Sequence, residues 1–292
     1  MAENTLLILN RKSAARTDIR PIIRSLQREL GFDVIVPWTG KQMRKTISRH
    51  IKRGRARIIA GGGDGTLNSV ANSVLRLGTG TDVSLGLVPL GTANDFARGF
   101  GDDASDIGRS IQRAVEGEAQ PIDVGEINGQ AFVNVASGGF GAMITATTPK
   151  QVKKRLGGLA YSLTGLARLS ELRPNAASVS IDGSGPKDVS ILALAVGNSR
   201  FAGGGFDVAP DARVDDGYLD LSILTNDIPD FEKLAGGLSR NGPLQVSQFK
   251  AARIETDKPF HLNLDGEPMV DTVFKIIVKP AALDMVLPES AG

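Results

Sequence analysis

A mostly apolar run, Ala56 to Ala60 with Arg57 inside it, leads into Gly61-Gly62-Gly63-Asp64-Gly65-Thr66-Leu67-Asn68. Apolar residues at helical spacing, Leu67, Val70, Val74 and Leu77, follow at once. The pattern predicts a buried strand that turns through glycines into a helix N-terminus. Such glycines let the backbone bend sharply and let an anion approach the amides without meeting a Cβ. Free N–H groups and the dipole at the helix start favour phosphate. A plain strand–turn–helix connection would use the same glycines; the Asp64-Gly65-Thr66 continuation sharpens the phosphate reading. The stretch fits neither the dinucleotide pattern GxGxxG nor the Walker pattern GxxxxGK followed by Ser or Thr.

A second turn, Leu90-Gly91-Thr92-Ala93-Asn94-Asp95-Phe96, follows the apolar run Val83 to Pro89. Both turns sit at the carboxyl ends of predicted parallel strands, where such sheets bind ligands. Two such turns could grip one nucleotide, with the glycine amides cradling phosphate and Thr66, Thr92 and Asn94 adding side-chain hydrogen bonds. The competing reading of the second turn is a capped helix start with Asp95 in its first turn.

Three polar clusters lie further on. Asn198 to Pro210 contains Ala202-Gly203-Gly204-Gly205-Phe206, too glycine-rich for a mere connector. Asp211-Ala212-Arg213-Val214-Asp215-Asp216-Gly217 sets carboxylates beside a tight turn, as oxygen sites for Mg²⁺ need, or makes an ordinary Asp-Gly turn before a strand. His261-Leu262-Asn263-Leu264-Asp265-Gly266-Glu267-Pro268 ends a strand with two carboxylates flanking a glycine. A carboxylate there can act as general base toward a hydroxyl; a turn is again the alternative. His50 and His261 are not spaced as metal ligands and read as structural or exposed.

The elements that must position these residues alternate in the first half. Thr5 to Asn10 reads as a strand, with Thr17 or Asp18 capping a helix through Ile19, Ile22, Ile23, Leu26 and Leu30 that Gly31 stops. Phe32 to Val36 is a strand, Met43, Ile47 and Ile51 mark a helix, and Asp106 to Val115 marks another. Strand and helix alternation argues for a parallel sheet with helices on both faces. Beyond Gly117 to Pro121 the strands come in hairpins, beginning with Ile122 to Ile127, the turn Asn128-Gly129 and Gln130 to Ala136. Val179 to Asp182, Val189 to Val196, Tyr218 to Leu224, Phe249 to Glu255, Pro259 to Leu264 and Phe274 to Val278 are further strands. Helical stretches at Lys150 to Leu172 and near Phe231 interrupt them. The first of these is apolar over a wide arc behind Lys153-Lys154-Arg155, which suits core packing or a helix seated on a membrane.

Bulk composition narrows the partners. No cysteine is present, which removes disulfides and thiolate ligands and suits a reducing compartment. Met-Ala-Glu-Asn lacks the pattern of a signal peptide, and no apolar run reaches the length of a membrane span. Basic residues crowd Arg11 to Arg57, against Asp18, Glu29 and Asp33 alone, so this face suits anionic lipid or nucleotide phosphate, or is simply solvated. At 5% aromatic residues, no base-stacking platform is visible, which argues against nucleic acid.

Taken together, these motifs resemble the diacylglycerol kinase catalytic-domain family, which includes sphingosine and ceramide kinases, and within it the bacterial YegS-type lipid kinases. The likeness covers nearly the whole chain: Ile8-Leu9-Asn10 and Lys12-Ser13, Gly61 to Asn68, Pro89 to Phe96 and Gly138-Gly139-Phe140-Gly141. It continues through Gly197-Asn198, Ala202 to Gly205, Asp215-Asp216-Gly217 and Asn263 to Pro268. It implies a nucleotide-binding α/β domain at 1–121, with a parallel sheet of NAD kinase or phosphofructokinase type, to which residues from about 286 return. A mostly antiparallel β-sandwich at 122–285 would serve lipid and metal. By position, ATP would bind at Gly63, Asp64, Gly65, Thr66, Leu67, Asn68, Ser69 and Thr92, and the residue reading adds Gly62 and Asn94. Mg²⁺ would rest on Asp216 with backbone carbonyls at Arg213 and Tyr218. Glu267 would accept the proton with Asp265 close by, and Asp64 would be the loop carboxylate that turnover needs.

Two departures from the family pattern stand out. Ser69 replaces the usual Glu after Asn68, and Pro37-Trp38-Thr39 replaces a nucleotide-holding Thr at the end of the second strand. Pro37 offers neither hydroxyl nor N–H, so Thr39 is the candidate substitute. The expectation is an ATP- and Mg²⁺-dependent lipid kinase, cytoplasmic and peripherally membrane-associated, that phosphorylates a hydroxyl of a glycerolipid. Its partners would be a lipid substrate at the membrane surface and, as a candidate, a second copy in a homodimer, with no nucleic acid. The alternatives are a soluble NAD kinase-like enzyme and a non-catalytic nucleotide or lipid sensor.

Overall fold

A computed structural model describes residues 4–54, 56–77, 83–102, 104–139, 174–225 and 244–288. The chain divides into two compact units, Met1–Asp123 with Ala281–Gly292, and Val124–Pro280. The return to the first unit thus begins at Ala281, a few residues ahead of the expected point.

The first unit runs β1 (Asn4–Leu9), α1 (Arg11–Ala14), α2 (Ile19–Leu30), β2 (Asp33–Ile35), α3 (Gly40–Ile51), β3 (Ala56–Gly62), α4 (Asp64–Leu77), β4 (Val83–Pro89), α5 (Asp95–Arg98) and α6 (Ile107–Glu116). Its strands lie in the order β2-β1-β3-β4, and each neighbouring pair is parallel. Asp284 and Met285 add in parallel beside Ser84 and Leu85 of β4. Both β3 and β4 are buried along their whole length, as strands covered on both faces must be, so they read as continuous apolar runs. Arg57 is tolerated inside β3 because its guanidinium donates to Ser84 Oγ and to the Val115 carbonyl. The core joins Leu7, Leu9, Ile59 and Val88 to Ile19 and Ile23 of α2 and Ile111 and Val115 of α6.

Helix ends mostly follow local chemistry. Thr39 and Asp106 accept from Gln42 N and Arg109 N as N-caps, and Gly31 ends α2 in the left-handed region at φ 72°. The capping role expected of Asp18 is corrected. Its carboxylate takes both Nε and a terminal nitrogen of Arg16 and makes no cap bond. That hydrogen bond holds the Asp18 carboxyl below its ordinary pKa and raises that of Arg16.

The second unit is built from antiparallel strands. They are β5 (Gln120–Ile127, entering from the first unit), β6 (Gln130–Phe132), β7 (Val135–Gly138), β8 (Asn175–Ile181), β9 (Lys187–Gly197), β10 (Phe201–Ala202), β11 (Phe206–Asp207), β12 (Leu219–Thr225), β13 (Leu244–Phe249), β14 (Ala251–Leu264) and β15 (Glu267–Met285). The order is β13-β12-β9-β7-β14-β15, and β8 shares with β7 the slot between β9 and β14. Asn128 and Gly129, at φ 49° and 83°, make the two-residue turn expected between β5 and β6. The strands anticipated at Phe249 to Glu255 and Pro259 to Leu264 are one strand, β14, whose register shifts between Glu255 and Phe260. The residues that looked like a break form that irregularity instead. The strand anticipated at Phe274 to Val278 is the middle of the longer β15. The helical stretches expected at Lys150 to Leu172 and near Phe231 lie outside the described residues. Among the described residues, no helix is long and apolar enough to cross a membrane.

Packing in the second unit is tightest where β5 meets β6. A Cβ on Gly125 would stand 2.1 Å from Cζ of Phe132, a fully buried ring. Gly125→Ala is therefore expected to overpack this contact and cost about 1–3 kcal/mol. A fall in denaturant midpoint with an unchanged slope would report it; an unchanged midpoint would mean that the ring has room to move.

Candidate active site

In the first unit, β3 and β4 end side by side and their turns press together. Leu90 N donates to the Gly62 carbonyl, and Thr66 N and Leu67 N donate to that of Gly63, which starts α4. A Cβ on Gly91 would lie 2.5 Å from Gly63 Cα, and one on Gly62 would lie 2.3 Å from Thr66 Oγ1. Packing of turn against turn thus requires Gly91, and Thr66 and Asn10 leave no room for a Cβ on Gly62. Gly65 and Thr92 are exposed beside the first turn of α4, whose leading amides have no partner inside the helix.

Asp64 spans the two turns. Its Oδ2 accepts from Asp95 N at 3.1 Å and its Oδ1 from Phe96 N at 2.9 Å, so it holds the start of α5. Asn94, left-handed at φ 50°, accepts from Gly91 N at 2.8 Å and donates to the Gly91 carbonyl at 3.2 Å. It closes its own turn, which tolerates αL because Asn side chains bond locally. Asn10, at the end of β1, donates to Thr66 Oγ1 at 3.0 Å and accepts from Ser13 N. Asn10 was missing from the residues assigned a role by sequence, although a polar side chain at the end of an apolar strand is a readable signal.

Several residues anticipated as nucleotide contacts have groups engaged within the first unit. Leu67 and Asn68 are buried side chains, and Asn68 Oδ1 accepts from Asn72 Nδ2. The Ser69 carbonyl accepts from Ser73 Oγ, and the Ser69 side chain is half-buried. Thr39 stands beyond the end of β2, exposed, and its hydroxyl oxygen accepts from Gln42 N as the α3 cap.

In the second unit, Asp265 and Gly266, at φ 50° and 102°, form a two-residue turn between the paired residues Leu264 and Glu267. Asn263 Oδ1 accepts from Gly266 N at 2.6 Å. The Asp265 side chain is turned inward: the residue is 8% exposed and accepts from the backbone amides of Val133 (2.6 Å), Asn134 (3.1 Å) and Val135 (2.9 Å). Bound to three amides, this carboxylate anchors the backbone, two residues ahead of Glu267. Glu267 is exposed immediately after the turn.

The Asp215-Asp216-Gly217 turn divides its carboxylates. Asp215 accepts from Arg213 Nε at 3.3 Å, and this hydrogen bond raises the Arg213 pKa above its ordinary value. Asp216, half-exposed, accepts from Tyr218 N at 3.0 Å and lies 3.4 Å from Gln248 Nε2. Among the described residues, no three His, Cys, Asp or Glu side chains gather to hold a metal. One carboxylate with backbone carbonyls is a hard, oxygen-only donor set, which fits a Mg²⁺ that keeps several waters. The triple glycine forms the tip of the β10–β11 hairpin, with Gly203, Gly204 and Gly205 all at positive φ and Arg200 paired to Asp207 below it.

The anchor role of Asp265 has a direct consequence. Asp265→Ala would leave buried amides at Val133 to Val135 without acceptors and is expected to destabilise the protein by about 3 kcal/mol or more. Chemical denaturation measures this. A loss below about 1 kcal/mol would mean that water replaces the carboxylate.

Residues 4–127 match the family model described as the diacylglycerol kinase catalytic domain, and residues 134–287 match the YegS C-terminal NAD kinase beta sandwich-like domain. A Pseudomonas aeruginosa PAO1 protein named "Probable lipid kinase YegS-like" is 40% identical over 298 residues, covering 98% of this chain and 95% of its own. A protein of the same name from Pseudomonas fluorescens Pf-5 is 38% identical over 293 residues, covering 98% and 96%. Among solved structures, a diacylglycerol kinase from Bacillus anthracis str. Sterne superposes with a TM-score of 0.78 at 22% identity, covering 98% of this chain and 97% of that one. An NAD kinase from Archaeoglobus fulgidus, solved in complex with ATP, gives 0.52 at 12% identity over 94% and 90% of the two chains. Carrying both domains in order and matching its relatives from end to end, the chain belongs to the YegS-like lipid kinases of the diacylglycerol kinase catalytic-domain family.

Proposed function

We propose that this kinase transfers the γ-phosphoryl group of ATP to a primary hydroxyl of a glycerolipid, of diacylglycerol or phosphatidylglycerol type, while peripherally bound at a membrane surface. The observation that carries the reading is the fused pair of glycine turns at the ends of β3 and β4, with exposed Gly65 and Thr92 beside the α4 N-terminus. A triphosphate suits amides and a helix dipole presented this way. The ATP complex of the Archaeoglobus fulgidus NAD kinase supports a nucleotide in this fold.

Phosphoryl transfer asks mainly for positioning and charge stabilisation, and the roles divide accordingly. The α4 amides and Thr92 hold phosphate. Asp64 keeps the two turns in register through its bonds to Asp95 and Phe96. Asp216, with the Arg213 and Tyr218 carbonyls, would hold Mg²⁺, which when bound neutralises phosphate charge. Glu267, exposed and next to a rigid turn, accepts the hydroxyl proton, and Asp265 fixes that turn as a positioning residue.

The test is a kinase assay with γ-labelled ATP, Mg²⁺ and mixed micelles of a bacterial lipid extract. Label is expected in a lipid band and absent with Asp64→Ala, which strips two α5 amides of their acceptor. Glu267→Gln is expected to lower kcat about 100-fold or more, with ATP binding retained, because an amide cannot take the proton. Full rate in Glu267→Gln would remove the base assignment. Label confined to water-soluble product when NAD is supplied would replace the lipid reading with NAD phosphorylation.

A further inference from the structure

At the ends of β1 and β2, next to the glycine turns, the chain displays an aromatic surface that the composition gave no reason to expect. Trp38 is 71% exposed, and the Arg11 guanidinium lies over one face of its indole, 5.3 Å from the ring centroid. The loop is pinned rather than loose: Trp38 N donates to Gln42 Oε1 at 2.8 Å while Thr39 caps the same helix. An indole exposed on an anchored loop presents a π-face to solvent, and Trp is enriched where such a face meets a partner.

Its location is set by the sheet. In the parallel order β2-β1-β3-β4, the carboxyl ends of β1 and β3 separate Trp38 from Gly91, and ligands of such sheets lie along that edge. From β3 to β2 is two strand spacings, about 10 Å, comparable to the reach from a nucleotide's phosphates to its base. A chain of contacts spans that interval: Thr66 Oγ1 accepts from Asn10, Arg11 follows Asn10 in sequence, and Arg11 stacks on Trp38. Pro37 offers a base at this edge no backbone N–H, and the Thr39 hydroxyl oxygen already accepts from Gln42 N.

We infer that Trp38 is the base platform of the nucleotide site, the purine of a nucleoside triphosphate stacking on the indole face opposite Arg11. This rests on the reading of the glycine turns as the phosphate site. Arg11 orients the ring from behind.

Trp38 is the only tryptophan in the chain, so its emission reports the site directly in the full-length protein. Titration with MgATP is expected to quench that emission saturably, and inorganic tripolyphosphate, which has no base, is expected not to. Trp38→Ala should raise KM for ATP about tenfold, the usual size of one base–aromatic stack, with kcat much less affected. Trp38→Phe should restore most of the loss, which a merely structural role would not predict. Equilibrium dialysis with labelled ATP separates the two possible failures. Retained ATP with an unmoved indole and an unchanged KM in Trp38→Ala overturns the platform and leaves the phosphate site standing. No retained ATP overturns both. An emission shift produced by anionic phospholipid vesicles and not by nucleotide overturns the platform and makes Trp38 a membrane contact.

Discussion

Gly63 and Gly91 touch backbone to backbone, and the nucleotide half of the molecule is organised by that contact. The two strand-end turns can approach to this distance only because Gly91 carries no Cβ, and one on Gly63 would already crowd Gly91 Cα at 3.1 Å. Once they do, a single carboxylate, Asp64, reaches from the start of α4 to the first amides of α5. Each such charge-assisted bond contributes about 1.5–3 kcal/mol, so the two helices cannot drift apart independently. Asn10 brings the end of β1 into the same assembly through Thr66. Three polypeptide segments therefore converge on one small rigid edge, with the α4 amides beside it.

The second unit solves a similar problem with a similar device. Asp265 sits in a left-handed turn position and sends its carboxylate inward to the amides of 133–135, while Glu267, two residues on, is exposed. In both units the carboxylate that looks catalytic by composition is the one that fixes a turn, and an exposed residue, Gly65 or Glu267, stands next to it. Placement to within a fraction of an ångström needs such anchoring, because a reacting group on an unsupported loop loses orientation.

Much of the scaffold was legible because its causes are local. The Asn128-Gly129 turn, the Gly31 stop and the buried runs of β3 and β4 follow from residue type and spacing alone. The Asp18 cap failed because Arg16, two residues earlier, competes for the same oxygens. The division of β14 into two strands failed because Thr256 to Lys258 reads as a break, whereas pairing with β8 and β15 on either side makes it an irregularity within one strand. The roles of Asp64 and Asp265 were not legible at all. Their partners lie 31 and 32 residues away for Asp64 and between 130 and 132 for Asp265, and no local pattern encodes such a contact.

Charge at the glycine turns makes the remaining demand on the design. Neither Ile58 to Ser69 nor Val83 to Ala97 contains a Lys or Arg, while Asp64 and Asp95 both belong to these turns. On the proposed reading, a triphosphate there meets amide dipoles but no fixed cation, and dipoles alone do not balance several negative charges. The compensating charge must come from a divalent ion and from basic side chains on an adjoining turn. Arg11 and Lys12 begin α1 directly after Asn10, which is bonded to Thr66. The basic residues nearest these turns in the sheet therefore stand at the neighbouring strand end, where Arg11 is stacked on Trp38.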